Sequence, residues 1–416
     1  MTAIFTFMCN SGRTVRVGTA YTTARRSALS TTFSYDEGYL AHSNAYSIDP
    51  DFPVSDGTSA RGLTRSGLPG SFSDAAPDRW GRNLISKRVR SDAAAEGRTP
   101  PIVTEVDYLL GVSDEIRQGA LRFTSDPGGP FLRAETDVPK LVSLPQLMRA
   151  AEKVAGADTD DLAAIKVLLD AGTGSLGGAR PKASVRDGDK LLLAKFAHPD
   201  DEWSVIAWEK TALDLAGAAG IEVARSELVR IDDKPVLLLD RFDREGADRV
   251  GYISAMTLLR DSDGTSHDYV EIAEALAEDG DSVASDLEQL WRRMAFSIAI
   301  NNTDDHLRNH GFLRRPGGWA LSPAFDINPN PQLSSTRVTT IGGSGDRASE
   351  ITGLFSYAST FGLSQARAVA IVTEVADAAR GYKTAAARNH VPSEELSRFA
   401  TTIDSATEAL SEASPA

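Results

Sequence analysis

The sequence predicts an α+β fold, with a mixed α/β amino-terminal region followed by a mainly α-helical carboxy-terminal one. Three observations carry that expectation. Residues 14–20 and 31–35, early in the chain, alternate apolar and polar side chains in the manner of strands. From about residue 250 onward the apolar spacing is mostly helical, as in residues 283–300. The length, 416 residues, is enough for two or three structural units.

Composition narrows the class. With 41% apolar and 25% charged residues the chain falls near ordinary globular usage, which excludes wholesale disorder and fibrous repeats. Lys and Arg total 44 against 58 for Asp and Glu, a net charge of −14, which argues against gripping nucleic acid unaided. The single cysteine, Cys9, excludes an intramolecular disulfide and a cysteine-rich zinc site, and reads as a small apolar strand residue. Residues 1–8 lack a basic leader, and no run of about 18 apolar residues follows. The expected location is therefore the cytoplasm, with no membrane contact.

Residues 1–125 are rich in β-formers, Gly, Ser and Pro and read as a small α/β subdomain, in which Pro77-Asp78-Arg79 marks a helix start. A connection around Asp126-Pro127-Gly128-Gly129-Pro130 leads to helical patterning over 144–171. A glycine-rich turn follows, and then a hairpin, with residues 183–186 and 190–196 flanking Asp187-Gly188-Asp189. Residues 203–218 are helical and end at Gly220; strands at 227–231 and 234–239 meet at Asp232-Asp233. The expected domains are thus 1–125, 126–250 and 251–416.

The chemistry-bearing residues recur in a definite order. Gly172-Thr173-Gly174-Ser175-Leu176-Gly177 is a G-x-G-x-x-G, whose glycines let backbone N–H groups approach phosphate oxygens. It follows a helix and opens a hairpin, the reverse of a dinucleotide site, and no G-K-[ST] closes it as a Walker loop would. Lys195 ends the hairpin and Glu209 lies in the next helix, the order in which a kinase small lobe assembles its phosphate clamp and aligning ion pair. Downstream, Asp304 and Asn309 have D-x-x-x-x-N spacing, with a further acid at Asp326. Phosphoryl transfer uses such a trio because magnesium takes hard oxygen ligands and the attacking hydroxyl needs a carboxylate to accept its proton. The order points to a two-lobed kinase-like fold.

Other pieces admit two readings. Asp240-Arg241-Phe242-Asp243-Arg244 stands where an adenine-contacting hinge would leave a small lobe, or is an exposed charged turn with Phe242 buried. His306 and His310 have zinc-pair spacing, but no Glu follows the first and residues 301–309 form helix poorly. A metal-dependent hydrolase is thus disfavoured, and His306 is read as bracing the loop beside the nucleotide. Asp305 is read as solvated or paired with a base.

Together these residues resemble the HipA family of serine/threonine kinases, toxins of HipBA-type toxin–antitoxin systems. The likeness also includes residues 175–182, 238–244, Pro77-Asp78-Arg79-Trp80-Gly81 and Gln118-Gly119-Ala120-Leu121. It implies ATP and Mg2+ as cofactors, with transfer of the γ-phosphate to a protein Ser or Thr. It implies Asp304 as catalytic base, Asn309 and Asp326 as metal ligands, and Lys195 as phosphate clamp. Gly177, Gly178, Ala179, Arg180, Pro181 and Lys182 would cover the phosphates, while Asp240, Arg241 and Phe242 would border the adenine. Ser175 matches the serine that family members autophosphorylate. The implied partner is a small helix-turn-helix HipB-like antitoxin that brings the operator DNA, and the implied targets include a translation factor such as an aminoacyl-tRNA synthetase. A nucleotide-binding pseudokinase acting through that antitoxin is the alternative. The chain departs from ordinary protein kinases after Asp326, where Ile327-Asn328 replaces Phe-Gly, and Pro181 precedes Lys182 in the loop.

Overall fold

The computed structural model describes residues 1–10, 13–25, 28–54, 60–62, 67–131, 138–156, 161–172, 178–246, 248–261, 264–333, 336–344 and 346–413. They form two compact units, Met1–Asp200 with Arg230–Asp263, and Asp201–Val229 with Gly264–Ala416. The first is mixed α/β and the second mainly helical, the α+β class expected. Among the described residues no helix is long and apolar enough to cross a membrane.

The first unit opens with an antiparallel sheet whose strand order is Ala60–Gly62, Ala28–Tyr35, Arg13–Arg25, Thr2–Asn10 and Leu121–Thr124. One face buries Ile4, Met8, Val17, Phe33, Phe72 and Phe123. Phe33 stacks on Phe52 at 5.2 Å and meets Phe72 edge-on at 6.0 Å, the two geometries that ring quadrupoles favour. Opposite Thr6 stands Gly18, where the register shifts. A Cβ there would lie 2.3 Å from the Ser34 carbonyl oxygen and 2.6 Å from the Phe33 ring, so the sheet can close only on glycine. Cys9 is a half-buried residue of the strand Thr2–Asn10.

The helix Arg79–Ala95 starts two residues after Pro77, with Asp78 as its N-cap, whose Oδ1 accepts from the Gly81 amide at 2.8 Å. The patterning over 144–171 resolves into two helices, Leu144–Gly156 and Leu162–Asp170. The hairpin is as expected: Lys182–Asp187 pairs antiparallel with Lys190–Phe196, which pairs in turn with Lys234–Asp240. Gly188 takes the left-handed φ of 57° that its tight turn needs.

In the second unit the helix Val283–Ala299 is buried nearly all round from Leu290 to its end. Around it lie Tyr269–Asp279, Arg347–Ser356, Gln365–Arg380 and Ser393–Glu412. The last of these reaches the start of the helix Val205–Ala218, where the Ser204 side chain makes no cap bond. Glu395 supplies the acceptor instead, taking hydrogen bonds from the Ser204 amide (3.0 Å), Ser204 Oγ (2.9 Å) and Trp208 Nε1 (2.9 Å). Trp208 stacks on Phe399 with centroids 3.9 Å apart.

Candidate active site

The helix Val283–Ala299 feeds the D-x-x-x-x-N segment through a tight reversal. Asn301 has φ 55°, its amide donates to Ile298 O (3.1 Å), and the Asn302 amide donates to Ser297 O (2.9 Å). That is a Schellman closure with Asn in the left-handed position usually held by glycine. From Asn302 to His310 the chain forms one 3₁₀ turn, Leu307–Asn309, and not the α-helix that a His306/His310 zinc pair would need.

Within this loop Asp304 and Asp305 face opposite environments. Asp305 is buried; its carboxylate accepts from Tyr269 Oη and from Ser297 Oγ (3.0 Å), with His310 Nε2 at 3.2 Å. Its backbone carbonyl accepts from Thr339 Oγ1 (2.6 Å). Burial alone would raise this carboxyl, but facing His310 and its hydrogen-bond donors hold it well below the usual carboxylate range. Asp305 is thus paired, and the solvated alternative is excluded. With Asp305 anchored inward, Asp304 is left exposed. The Asp304 carboxyl is raised by partial desolvation; nearby His306 opposes that, and Asp326 and Asp305 add to it.

Asn309 donates through Nδ2 to the Asp304 carbonyl (3.2 Å), and its own amide donates to His306 O (2.8 Å). The amide nitrogen being used in this way, its Oδ1 is the atom left to serve as a ligand. Between Asn309 and Asp326 the hairpin Gly311–Arg314 with Trp319–Leu321 doubles the chain back, so a separation of 22 residues in sequence becomes electrostatic proximity of Asp326 to Asp304. Asp326 itself is left-handed at φ 56°, a strained state for a non-glycine residue that persists only where neighbours impose it.

These residues fit a magnesium ion by donor chemistry. Two mutually repelling carboxylates and an amide oxygen are hard donors, and a dication would relieve the repulsion that Asp326 adds to the desolvation of Asp304. Among the described residues no group of three or more His, Cys, Asp or Glu side chains is gathered as a metal site. Magnesium often needs only one or two carboxylates when ligand phosphates complete its shell. Beneath the loop, Arg293, Asn302, Asp305, Asn309 and His310 line a small pocket of about 20 Å³. That is room for roughly one water molecule and far too little for a nucleotide.

The first unit holds the remaining candidates. Lys195 is buried at the end of its strand, directly across the ladder from Lys182. Side chains directly opposite share a face, and two like charges there would repel. Lys182 is neutralised by Asp78, whose Oδ2 lies 2.6 Å from its ammonium, and its carbonyl accepts from Trp80 Nε1 (3.2 Å). The Lys182 side chain is 1% exposed, with its charge held against Asp78. Arg241 is buried too: its guanidinium forks onto Asp243 and donates to Ile116 O (3.0 Å).

Asp243 also accepts from Arg244 Nη1 (2.8 Å) and the Gly119 amide (2.7 Å), and against the effect of burial these partners hold it well below the usual carboxylate range. The charged turn is therefore interior, while Phe242 is half-buried 6.3 Å from Tyr252. Asp240 is half-buried with Lys190 Nζ at 3.8 Å. Gly178 (φ 90°) and Ala179 are exposed, Arg180 is half-buried and Pro181 is buried. Ser175 and Gly177 lie outside the described residues. In the second unit Glu209 is 1% exposed, so it does not lie on a solvated helix face.

Several residues around the loop had no signal in the motif. Arg337, fully buried, pairs with Glu350 (2.8 Å) and donates to the Asn302 and Ser297 carbonyls. Asn330 and Asn301 bond each other reciprocally across the loop.

With that geometry in view, the comparisons with known proteins decide the family. The HipA-like C-terminal domain family matches residues 174–382, just over half of the chain, and the HipA N-terminal domain family matches residues 13–98. The chain belongs to the HipA family. HipA of Shewanella oneidensis MR-1, solved as a toxin antitoxin system with HipB and its operator DNA, has a TM-score of 0.69 at 16% identity. The match covers 98% of this chain and 96% of that one, so the HipA fold, two-lobed and kinase-like as expected, extends over nearly the full length. The Helicobacter pylori proinflammatory kinase CtkA is a more distant neighbour, with a TM-score of 0.43 and 14% identity over 56% of this chain and 92% of that one. No curated protein matches the chain.

Proposed function

We propose that this HipA-family chain is an ATP- and Mg2+-dependent serine/threonine protein kinase and the toxin of a HipBA-type pair. The observation that carries the reading is the exposed carboxyl of Asp304 beside Asp326, with Asn309 bonded to the Asp304 carbonyl. Bound magnesium would offset negative charge on the ATP phosphates as the terminal P–O bond breaks. Asn309 Oδ1 and the Asp326 carboxylate would hold it. Asp304 orients the attacking Ser or Thr hydroxyl and takes its proton, a task for which a raised carboxyl is better suited than an ordinary one. Lys195 contributes positive charge to the phosphates, and Asp240 and Phe242 border the base. Autophosphorylation of Ser175 would place a dianion in the glycine loop and oppose nucleotide binding.

The Shewanella HipA was solved with HipB and operator DNA, which supports a helix-turn-helix antitoxin as partner here. A net charge of −14 is in keeping with DNA contact through such a partner. The test is labelled ATP with Mg2+ and a cell extract: wild type labels itself or one or a few proteins, and Asp304→Asn does not. Equal labelling by Asp304→Asn refutes the base. Nucleotide binding without transfer by the wild type refutes the kinase and leaves the pseudokinase acting through its partner.

A further inference from the structure

The left-handed Asn301 does more than end its helix. Its Nδ2 donates to the Asn330 carbonyl (2.7 Å) and the Gln332 carbonyl (3.1 Å), while its own carbonyl accepts from the Asn330 amide (3.1 Å). Asn330 answers through its side chain, Nδ2 donating to Thr303 Oγ1 (2.8 Å) and Oδ1 accepting from the Gln332 amide (2.9 Å). Four of these hydrogen bonds fasten residues 330–332 to residues 301–303, just before Asp304, and the fifth braces Asn330 within its own segment.

The other side of Asp326 is fixed as well: the Ala324 amide donates to Glu222 O (2.8 Å), and Ala324 bridges to Val223. Asp326 therefore sits in a short span tied at both ends. The three-residue run that links it to the clamp contains the buried Ile327 and Pro329, whose ring fixes its φ, and Pro331 stiffens the clamp itself. A stiff span carries the position of one end to the other. The left-handed φ at Asp326 is the kind of state that such double anchoring can impose.

We propose that Asn301 is a positioning residue for the metal ligand Asp326, setting its distance from Asp304 through Asn330. This rests on the kinase reading above. Asparagine meets both demands of the position. It tolerates the left-handed backbone, as glycine does, and it carries the N–H donors that glycine lacks. Aspartate would keep the shape but turn an acceptor oxygen towards two carbonyl oxygens.

The full-length chain is compared with Asn301→Gly, Asn301→Asp and Asn330→Ala. Mn2+ is titrated by electron paramagnetic resonance with a non-hydrolysable ATP analogue present, and nucleotide affinity is measured separately without metal. Thermal melting confirms that each variant is folded at the titration temperature. Loss of an outer partner of a metal ligand weakens metal affinity by about tenfold or more, so that shift is expected in all three, with metal-free nucleotide affinity changed by less than about twofold. Asn301→Gly, which keeps the backbone, separates clamp from helix end. If folded variants bind Mn2+ within about twofold of wild type, the inference falls alone. If wild type binds no metal with nucleotide, the kinase reading falls and takes this role with it.

Discussion

Replacing Asp305 by asparagine isolates the inward anchor of the loop. The buried carboxylate accepts from Tyr269 Oη and Ser297 Oγ and faces His310 Nε2 at 3.2 Å. Asparagine retains one acceptor oxygen, so at least one donor loses its partner and the charge opposite His310 disappears. A hydrogen bond to a charged group contributes about 1.5–3 kcal/mol, and breaking a buried pair from one side costs about 3–5 kcal/mol. A loss of about 3 kcal/mol at pH 7 is expected, large beside the roughly 5–15 kcal/mol of a typical fold. Urea unfolding followed by the fluorescence of the buried Trp291 measures it.

The pH dependence has a definite sign. The folded carboxyl titrates below its unfolded value of about 4, so its stabilisation is complete above that value. The stabilisation is lost as pH falls towards the folded value. Asparagine does not titrate, and the gap between wild type and variant should narrow as pH drops below about 5. A loss under about 1 kcal/mol at pH 7, or a gap that stays constant down to about pH 3, would refute the anchor.

Other sites yield equally direct tests. Lys182→Ala strands the buried Asp78 carboxylate and should cost about 3–5 kcal/mol in urea unfolding, whereas Lys182→Met with Asp78→Asn, which keeps an N-cap side chain, should recover most of it. Gly18→Ala must push apart the Ser34 carbonyl and the Phe33 ring, and should lower stability by about 1–3 kcal/mol with a matching fall in Tm. Glu395→Ala removes the acceptor from Ser204 and Trp208; a loss of about 2 kcal/mol and a red-shifted Trp208 emission are expected.

Local chemistry was legible in the sequence wherever it sat in consecutive residues. The hairpin about Asp187-Gly188-Asp189 and the helix before Asn301 were legible because turn formers and apolar spacing are short-range signals. The Asp304, Asn309 and Asp326 order was legible as spacing, but the hairpin that returns Asp326 was not, since strands of four and three residues leave little pattern. The charged run 240–244 misled: Arg241 and Asp243 are interior because they pair with each other and with carbonyls and an amide of residues 116–119, over a hundred positions away. The Lys182–Asp78 pair was hidden in the same way, its two members lying in different elements. Long-range polar satisfaction of this kind has no local periodicity to read. Asn301, just ahead of the D-x-x-x-x-N spacing, carried no signal of its own; that it stands left-handed and clasps Asn330 needed the fold.

The route of the chain sets an order on synthesis. Each compact unit is built from two separated stretches, with residues 201–229 of the second unit translated before residues 230–263 of the first. The helix Val205–Ala218 therefore emerges nearly two hundred residues ahead of Glu395, which completes its first turn, and of Asn389, which bonds Thr211 and Asp214. On a ribosome delivering about 5–20 residues per second, that helix waits on the order of ten seconds or more with its contacts unmade. A nascent chain stopped short of residue 393 would hold every residue of the D-x-x-x-x-N loop and still lack a settled second unit.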